Sequence, residues 1–184
     1  MNFLEFEEKI GYSFKDKTLL ELALTHSSYA NEARKNLECN ERLEFLGDSV
    51  LSIAVSRYLY ATYPQEGEGV LTNMRKDVVC AEALARYARS IGIGDCLLLG
   101  KGEAQTGGYD KENILADAFE ALLAAIYLDA GENAMDIIDG FLLPLVEKDL
   151  SELISKGIDG DYKTPLQQLV QQTEGDVLEY VLIS

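Results

Sequence analysis

Residues 40–57 read Asn-Glu-Arg-Leu-Glu-Phe-Leu-Gly-Asp-Ser-Val-Leu-Ser-Ile-Ala-Val-Ser-Arg, and this stretch decides the fold. Its apolar side chains recur at helical spacing, which predicts a buried helix; they are Leu43, Leu46, Val50, Ile53 and Ala54. Glu41, Glu44 and Asp48 are spaced three and four apart and therefore share one face of that helix. Gly47 lies on the same face, where its missing side chain would let another backbone or an ion come close. Because like charges at these spacings repel each other, the pattern favours a bound cation.

A second, strongly apolar helix is predicted at residues 113–128, Asn-Ile-Leu-Ala-Asp-Ala-Phe-Glu-Ala-Leu-Leu-Ala-Ala-Ile-Tyr-Leu. Asp117 and Glu120 are the only acids in its middle; they share a face with small residues that permit close helix packing. If this face meets that of Glu44 and Asp48, four carboxylates converge. Oxygen-only ligation suits Mg²⁺ or Mn²⁺, whereas Zn²⁺ favours His and Cys ligands.

Each acidic face has an ordinary alternative, in which it is the solvated stripe of an amphipathic helix. For one helix considered alone, this alternative would be the default interpretation. It is weakened here because both segments are apolar almost all round, and that composition is typical of buried helices. The pairing of the two acidic faces therefore stays a prediction that the fold must test.

The rest of the chain is predicted to be mostly helical. Turn and glycine-rich segments separate the helices, at residues 64–69 and 91–110. The composition turns polar again after residue 148, which marks a linker. The predicted helices besides 113–128 are 3–10, 17–24, the first helix continued to Tyr60, a single helix over 70–90, and 134–146.

Two segments carry a further resemblance. Residues 41–49, Glu-Arg-Leu-Glu-Phe-Leu-Gly-Asp-Ser, resemble the signature of the ribonuclease III family, and residues 114–121 resemble its second acidic motif. The resemblance extends over the whole chain. It implies an all-α helical ribonuclease III catalytic domain at 1–150, a linker at 151–160 and an incomplete α/β double-stranded-RNA-binding domain, its N-terminal fragment, at 161–184.

The resemblance also implies an activity. We expect an endoribonuclease that hydrolyses phosphodiester bonds of double-stranded RNA with Mg²⁺, or Mn²⁺ as a substitute, and leaves 5′-phosphate and 3′-hydroxyl ends. Its implied roles are rRNA and mRNA processing. Glu41 and Glu68 are candidates for a further ion or a substrate contact, although Glu68 could equally be a solvated loop acid. The implied catalytic and metal-binding residues are Glu44, Asp48, Asp117 and Glu120.

Members of the family work as symmetric homodimers in which each protomer cuts one strand. Phe45 lies next to Glu44 at a position that inserts into the partner subunit in the family. The alternative is that Phe45 packs within its own chain. A homodimer with a contact at Phe45 is therefore expected from the resemblance and not from composition.

His26 is the only histidine of the chain. It is a candidate general base or metal ligand, but a lone histidine is more often a packed, hydrogen-bonded residue. A single histidine also excludes a ferritin-like di-iron site, which needs two Glu-x-x-His motifs. The glycine-rich residues 94–102 do not match the spacing of a phosphate-binding loop, so no nucleotide cofactor is expected.

Composition bounds the remaining possibilities. The chain has 184 residues, 47% of them hydrophobic, which is enough for one domain of good size and a fragment of a second. No apolar run is long enough to span a membrane, and the acidic first residues do not resemble a signal peptide. The three cysteines, Cys39, Cys80 and Cys96, are odd in number, which favours a reducing cytoplasmic location.

The net charge of −16 is unusual for a protein that binds nucleic acid, which commonly carries a basic surface. Our hypothesis is that metal ions neutralise the acidic site and that a separate module supplies most of the attraction for phosphate. Two other functions stay open. One is a non-catalytic RNA-binding scaffold with this fold, and the other is an acidic helical dimer that binds no RNA.

Overall fold

The structure, a computed structural model, describes residues 3–33 and 37–157. Within these ranges the regular structure is helical, apart from one isolated parallel bridge between Thr25 and Leu98. This confirms the all-α prediction for the catalytic domain, whereas the predicted fragment at 161–184 lies outside the described residues. The α-helices are α1 (Phe3–Ile10), α2 (Lys17–Ala23), α3 (Ser27–Glu32), α4 (Glu41–Thr62), α5 (Glu68–Val79), α6 (Ala81–Ile91), α7 (Lys101–Gln105), α8 (Glu112–Ala130) and α9 (Ala134–Gly157).

Helix α8 is the centre of the fold. It packs against α2, α4, α6 and α9, and its side chains are buried almost all round, as its apolar composition predicts. The helix ends at Ala130, and Gly131, the next residue, adopts a positive φ of 68°.

No helix in the described part of the chain combines the length and apolar character that a membrane crossing requires.

The most extensive helix pair is α4 with α8, and Gly47 is where their backbones meet. A β-carbon added to Gly47 would lie 1.9 Å from the carbonyl oxygen of Glu120 and 2.4 Å from its carbonyl carbon. Real β-carbons do not approach backbone atoms so closely, so only glycine fits at this crossing. Asp48 follows Gly47 directly, so the crossing also brings acids of the two helices together.

The single helix predicted over residues 70–90 is wrong. The segment forms α5 and α6, and Cys80 between them has an extended backbone with φ −71° and ψ 157°. Helix α6 lays its apolar face on α8, whereas α5 contacts α4 and α9. A straight helix could not follow both surfaces, so tertiary packing separates two segments whose local sequence is continuously helical.

Two other segments differ from the sequence-based expectation. Helix α9 was predicted to end at Val146 but continues to Gly157, because Val146 and Leu150 are both buried and keep the next turn against the core. Residues 151–157 of the predicted linker are therefore helical. The segment 91–110, predicted to be irregular, contains α7 and two short 3₁₀ turns, Ile93–Cys96 and Gly108–Asp110.

Replacing Gly47 with alanine is expected to destabilise the protein, because the new β-carbon forces α4 and α8 apart. Overpacking of this kind costs about 1–3 kcal/mol, more than the roughly 1 kcal/mol that alanine gains over glycine in a helix. Gly140→Ala in α9 is the matched control, since nothing lies within 4 Å of a β-carbon there. Thermal unfolding should show a lower melting temperature for Gly47→Ala and an equal or higher one for Gly140→Ala. Equal stability of the Gly47 variant and the wild type would contradict the close crossing.

Candidate active site

Four carboxylates face each other across the crossing of α4 and α8. Glu44 and Asp48 precede and follow Gly47 by one helical turn or less, and Asp117 and Glu120 lie one turn apart on α8. Asp48 is exposed, and the other three are half-buried. We call these four residues the acidic cluster. The predicted meeting of the two acidic faces is thus what the helix packing produces.

The pKa of Glu120 reflects the charges of the other three acids. Burial raises the pKa of this carboxyl from its ordinary value to about 7, and the charges of Asp48, Glu44 and Asp117 add to the effect. All three of the other acids therefore act on Glu120. An acid with this pKa retains a substantial share of its proton near neutral pH unless a cation takes the proton's place.

The pKa values of two further members of the acidic cluster are also raised. Burial raises the pKa of Glu44, and the charges of Asp117 and Glu41 raise it further. Burial also raises the pKa of Asp117, while His26 lowers it. Glu41 is therefore a neighbour of the acidic cluster, and its role in a further ion site or a substrate contact stays a prediction.

The structure separates Glu68 from this group. Its exposed side chain, in the first turn of α5, accepts a hydrogen bond from Thr72 Oγ1 at 3.0 Å. The electrostatic contacts described for the acidic cluster do not include Glu68. A role of Glu68 in a further ion site or a substrate contact stays a prediction.

Phe45 points away from the core of its own chain. Its side chain is 80% exposed, although its neighbours on α4, Leu43 and Gly47, are buried. The alternative in which Phe45 packs within its own chain is therefore wrong. A contiguous patch of exposed apolar side chains, rather than a single one, is typical of surfaces that bind a partner.

The chemistry of the acidic cluster fits Mg²⁺ or Mn²⁺, because its donors are all carboxylate oxygens in a partly dry setting. Within residues 3–33 and 37–157, no three His, Cys, Asp or Glu side chains are already grouped tightly enough to enclose an ion. Four carboxylates without a cation repel one another, so we expect them to lie further apart than they would around one. The residues that would hold it are Glu44, Asp48, Asp117 and Glu120.

Asn40 is a residue beside the site whose role the sequence did not reveal. It is 2% exposed, its backbone N–H donates to the Thr25 carbonyl at 2.9 Å, and its side chain donates to the Ala23 carbonyl at 3.4 Å. An asparagine before a helix is a signal for a side-chain cap. Here the side chain instead ties the start of α4 to the last residue of α2, which a local signal cannot show.

Comparisons with known proteins agree on one family. A family model described as ribonuclease-III-like matches residues 16–145. Ribonuclease 3 of Pelotomaculum thermopropionicum is 49% identical over 179 residues, which cover 96% of this chain and 73% of that protein. Ribonuclease 3 of Bacillus cereus is 46% identical over 182 residues, which cover 98% of this chain and 73% of that protein.

Solved structures give the same result. The nuclease domain of ribonuclease III from Campylobacter jejuni superposes with a TM-score of 0.73 and 40% identity, covering 80% of this chain and 98% of that one. That structure is described as flexible in a region involved in dimer formation. Dicer from Pichia stipitis superposes with a TM-score of 0.52 and 29% identity, covering 73% of this chain and 57% of that one.

Stability without metal is expected to depend on the protonation of Glu120. Its pKa is about 7 in the folded protein and close to the ordinary 4.5 in the unfolded chain. The proton on Glu120 stabilises the folded protein fully at pH values below the pKa of the unfolded chain. This stabilisation is lost as the pH rises through about 7. Glu120→Gln removes this loss, because the amide stays neutral at every pH.

In EDTA, the melting temperatures of Glu120→Gln and the wild type should be similar near about pH 5. The variant should be more stable by about 2 kcal/mol, or about 5 °C, near about pH 8. Glu112→Gln, on the exposed first turn of the same helix, is the control and should not change the pH dependence. A difference between Glu120→Gln and the wild type that does not grow with pH would contradict the buried, crowded setting of Glu120.

Proposed function

The chain belongs to the ribonuclease III family of endoribonucleases, and we propose that it hydrolyses phosphodiester bonds of double-stranded RNA in a Mg²⁺-dependent reaction. Mn²⁺ is the expected substitute, and the expected products carry 5′-phosphate and 3′-hydroxyl ends. The proposal extends to substrates among rRNA and mRNA precursors and to a cytoplasmic location.

One observation supports the proposal most strongly, and it is the effect of three separate acids on Glu120. Burial first, and then the charges of the three neighbouring acids, raise the pKa of this carboxyl to about 7, so its ionised form costs stability in the absence of a ligand. Perturbed groups of this kind gather at functional sites. A divalent cation would turn the repulsion among the four carboxylates into attraction.

Both helices would supply ligands to the proposed ion site. Glu44 and Asp48 would hold the ion from α4, and Asp117 and Glu120 from α8. Mg²⁺ held by these residues would lower the pKa of a water molecule and would neutralise charge that develops on the leaving 3′ oxygen. Glu120 must release its proton to bind the ion, so ion binding and proton release are linked near neutral pH.

The rival functions predict different behaviour. A non-catalytic scaffold would have no need of the four acids, and all of them are present and brought together here. An acidic protein that binds no RNA would agree with the net charge of −16, but it does not account for the clustering of acids in a half-buried site.

Recognition of duplex RNA would depend on shape and 2′-hydroxyl groups, because the deep major groove hides the base edges.

We also propose that the protein is a homodimer that associates through one face of α4. Phe45, Ile53 and Tyr60 are exposed by 80%, 50% and 78%, and at about 100° per residue they fall within roughly 80° of one another. An apolar stripe of this kind suits a two-fold interface, in which the same patch is used by both chains. Two acidic clusters would then act on the two strands of one duplex.

The proposed domain organisation follows the family. Residues 1–150 are assigned to the catalytic domain, 151–160 to a linker whose first part continues α9, and 161–184 to the N-terminal fragment of a double-stranded-RNA-binding domain.

Glu120→Gln is expected to abolish Mg²⁺-dependent cleavage of a labelled RNA duplex, by about 100-fold or more, while the fold is kept. The amide has nearly the same shape as the carboxyl but cannot supply a negative ligand. Glu112→Gln should cleave at the wild-type rate. Cleavage by the wild type in EDTA, or unchanged cleavage by Glu120→Gln with Mg²⁺, would reject the proposed reaction.

Phe45→Ala is expected to weaken association, because the side chain would lose a buried position in the partner. Central aromatic anchors contribute roughly 2 kcal/mol or more, so the dissociation constant should rise at least about 30-fold. Leu4→Ala on α1 removes another exposed apolar side chain, at 68% exposure, and should leave association unchanged. Sedimentation velocity at micromolar concentration measures both, and a monomeric wild type would contradict the proposal.

A further inference from the structure

Five arginines lie in the described part of the chain, and two of them have no carboxylate partner there. Arg57, Arg86 and Arg89 each lie 2.5–3.5 Å from an aspartate oxygen. Arg42 and Arg75 form no ion pair with an acid among the residues that the structure describes. This difference is unexpected in a chain with 32 acids and 16 lysines and arginines, because carboxylates are abundant on its surface.

The two unpaired arginines reach the same surface of the molecule. At about 100° per residue, Arg42 and Ser56 of α4 fall in the same sector of roughly 80° as the apolar stripe of the proposed interface. Arg75 belongs to the neighbouring α5, and its NH1 donates a hydrogen bond to Ser56 Oγ at 2.9 Å. We call this sector the α4 face; its residues are Arg42, Phe45, Ser49, Ile53, Ser56 and Tyr60.

The α4 face contains no acid of its own. Helix α4 carries three acids, Glu41, Glu44 and Asp48, and the helical spacing puts all of them on the opposite side of Phe45 from Arg42. That side is the side of the acidic cluster. The positive charge of the α4 face is therefore not neutralised by acids of the same helix face.

The surroundings of each arginine leave its charge available. Arg75 is half-buried, and its printed side-chain partner is a neutral hydroxyl, although a guanidinium has five N–H donors. Arg42 is exposed and lines a groove together with Glu38, but the two side chains do not form an ion pair. On α5, the residues one turn before and after Arg75 are uncharged; they are Leu71, Thr72, Val78 and Val79.

An available guanidinium can bind a carboxylate of a protein or a phosphate of a nucleic acid. The composition of the α4 face favours a protein, because the exposed apolar side chains of Phe45 and Ile53 lie between Arg42 and Ser56 along the helix. Arginine and aromatic residues are enriched together at protein–protein interfaces, whereas interfaces with nucleic acid are more polar. A second copy of this chain offers carboxylates in two-fold excess over cations.

We propose that Arg42 and Arg75 form ion pairs with carboxylates of a second copy of this chain, on either side of the apolar contact made by the α4 face. The inference rests on the proposed homodimer and deepens it. In a two-fold interface every contact occurs twice, so each arginine contributes on both chains. The ion pairs would offset part of the repulsion between two chains of net charge −16 and would fix their relative orientation.

Arg42→Gln and Arg75→Gln should each weaken association, because a guanidinium that binds a partner carboxylate is lost. Sedimentation velocity in about 0.1 M salt should show the dissociation constant rising by about 10-fold for each variant. The excess over the wild type should narrow in about 1 M salt, where the screening length falls to about 3 Å. A role in packing alone would not give this dependence on salt.

Arg89→Gln on α6 is the matched control. It changes the net charge by the same amount, but Arg89 already has Asp110 of its own chain as a partner, at 2.6 Å. General repulsion between the two acidic chains therefore affects all three variants equally, and Arg89→Gln should associate nearly as well as the wild type. Arg42 is exposed, so Arg42→Gln should keep the melting temperature of the wild type.

Three outcomes would count against the proposals in different ways. Association of Arg42→Gln or Arg75→Gln at the level of Arg89→Gln would overturn the inference. Unchanged association together with weaker binding to a labelled RNA duplex in EDTA would also overturn it, and would assign the arginines to phosphate. A wild type that stays monomeric would instead reject the proposed homodimer, so the two failures are distinguishable.

Discussion

The architecture of the site depends on the contact between the backbones of α4 and α8 at Gly47. With 1.9 Å between a would-be β-carbon and the Glu120 carbonyl oxygen, no other amino acid fits without moving a helix. Glycine is less favourable than alanine in a helix by about 1 kcal/mol, yet it occupies this position in the most extensive helix pair of the described chain. Gly47 lies against the backbone of Glu120, and Asp48 is the next residue after Gly47. The same contact therefore determines how closely the acids of the two helices approach each other.

Packing and function therefore oppose each other at this crossing. Burying α8 stabilises the domain, but it also withdraws water from Glu44, Asp117 and Glu120, and the pKa of each rises as a result. A divalent cation bound at the proposed site would relieve the conflict, since it would replace protons and neutralise the repulsion. The net charge of −16 is then less surprising, because part of it belongs to the proposed cation site.

Much of the fold could be predicted from periodicity alone, and the errors have a common cause. Helices α1, α2, α4 and α8 follow patterns of apolar residues that local sequence displays, and their predicted positions agree with the structure. The break at Cys80 and the extension of α9 beyond Val146 do not appear in those patterns. Both depend on the surface against which a segment packs, and that surface is formed by residues distant in sequence.

The sequence by itself determined the family, the helical class and the four acids of the acidic cluster, because residue type and spacing carry that information directly. It also placed Glu120 and Asp117 on one helical face, which follows from the geometry of a single helix. Only the tertiary structure decided that this face meets Glu44 and Asp48, that Glu68 stays outside the group and that Phe45 is exposed. It also decided that His26 accepts a hydrogen bond from the Ser28 backbone N–H. These are properties of contacts between segments, and a contact exists only once the chain has folded.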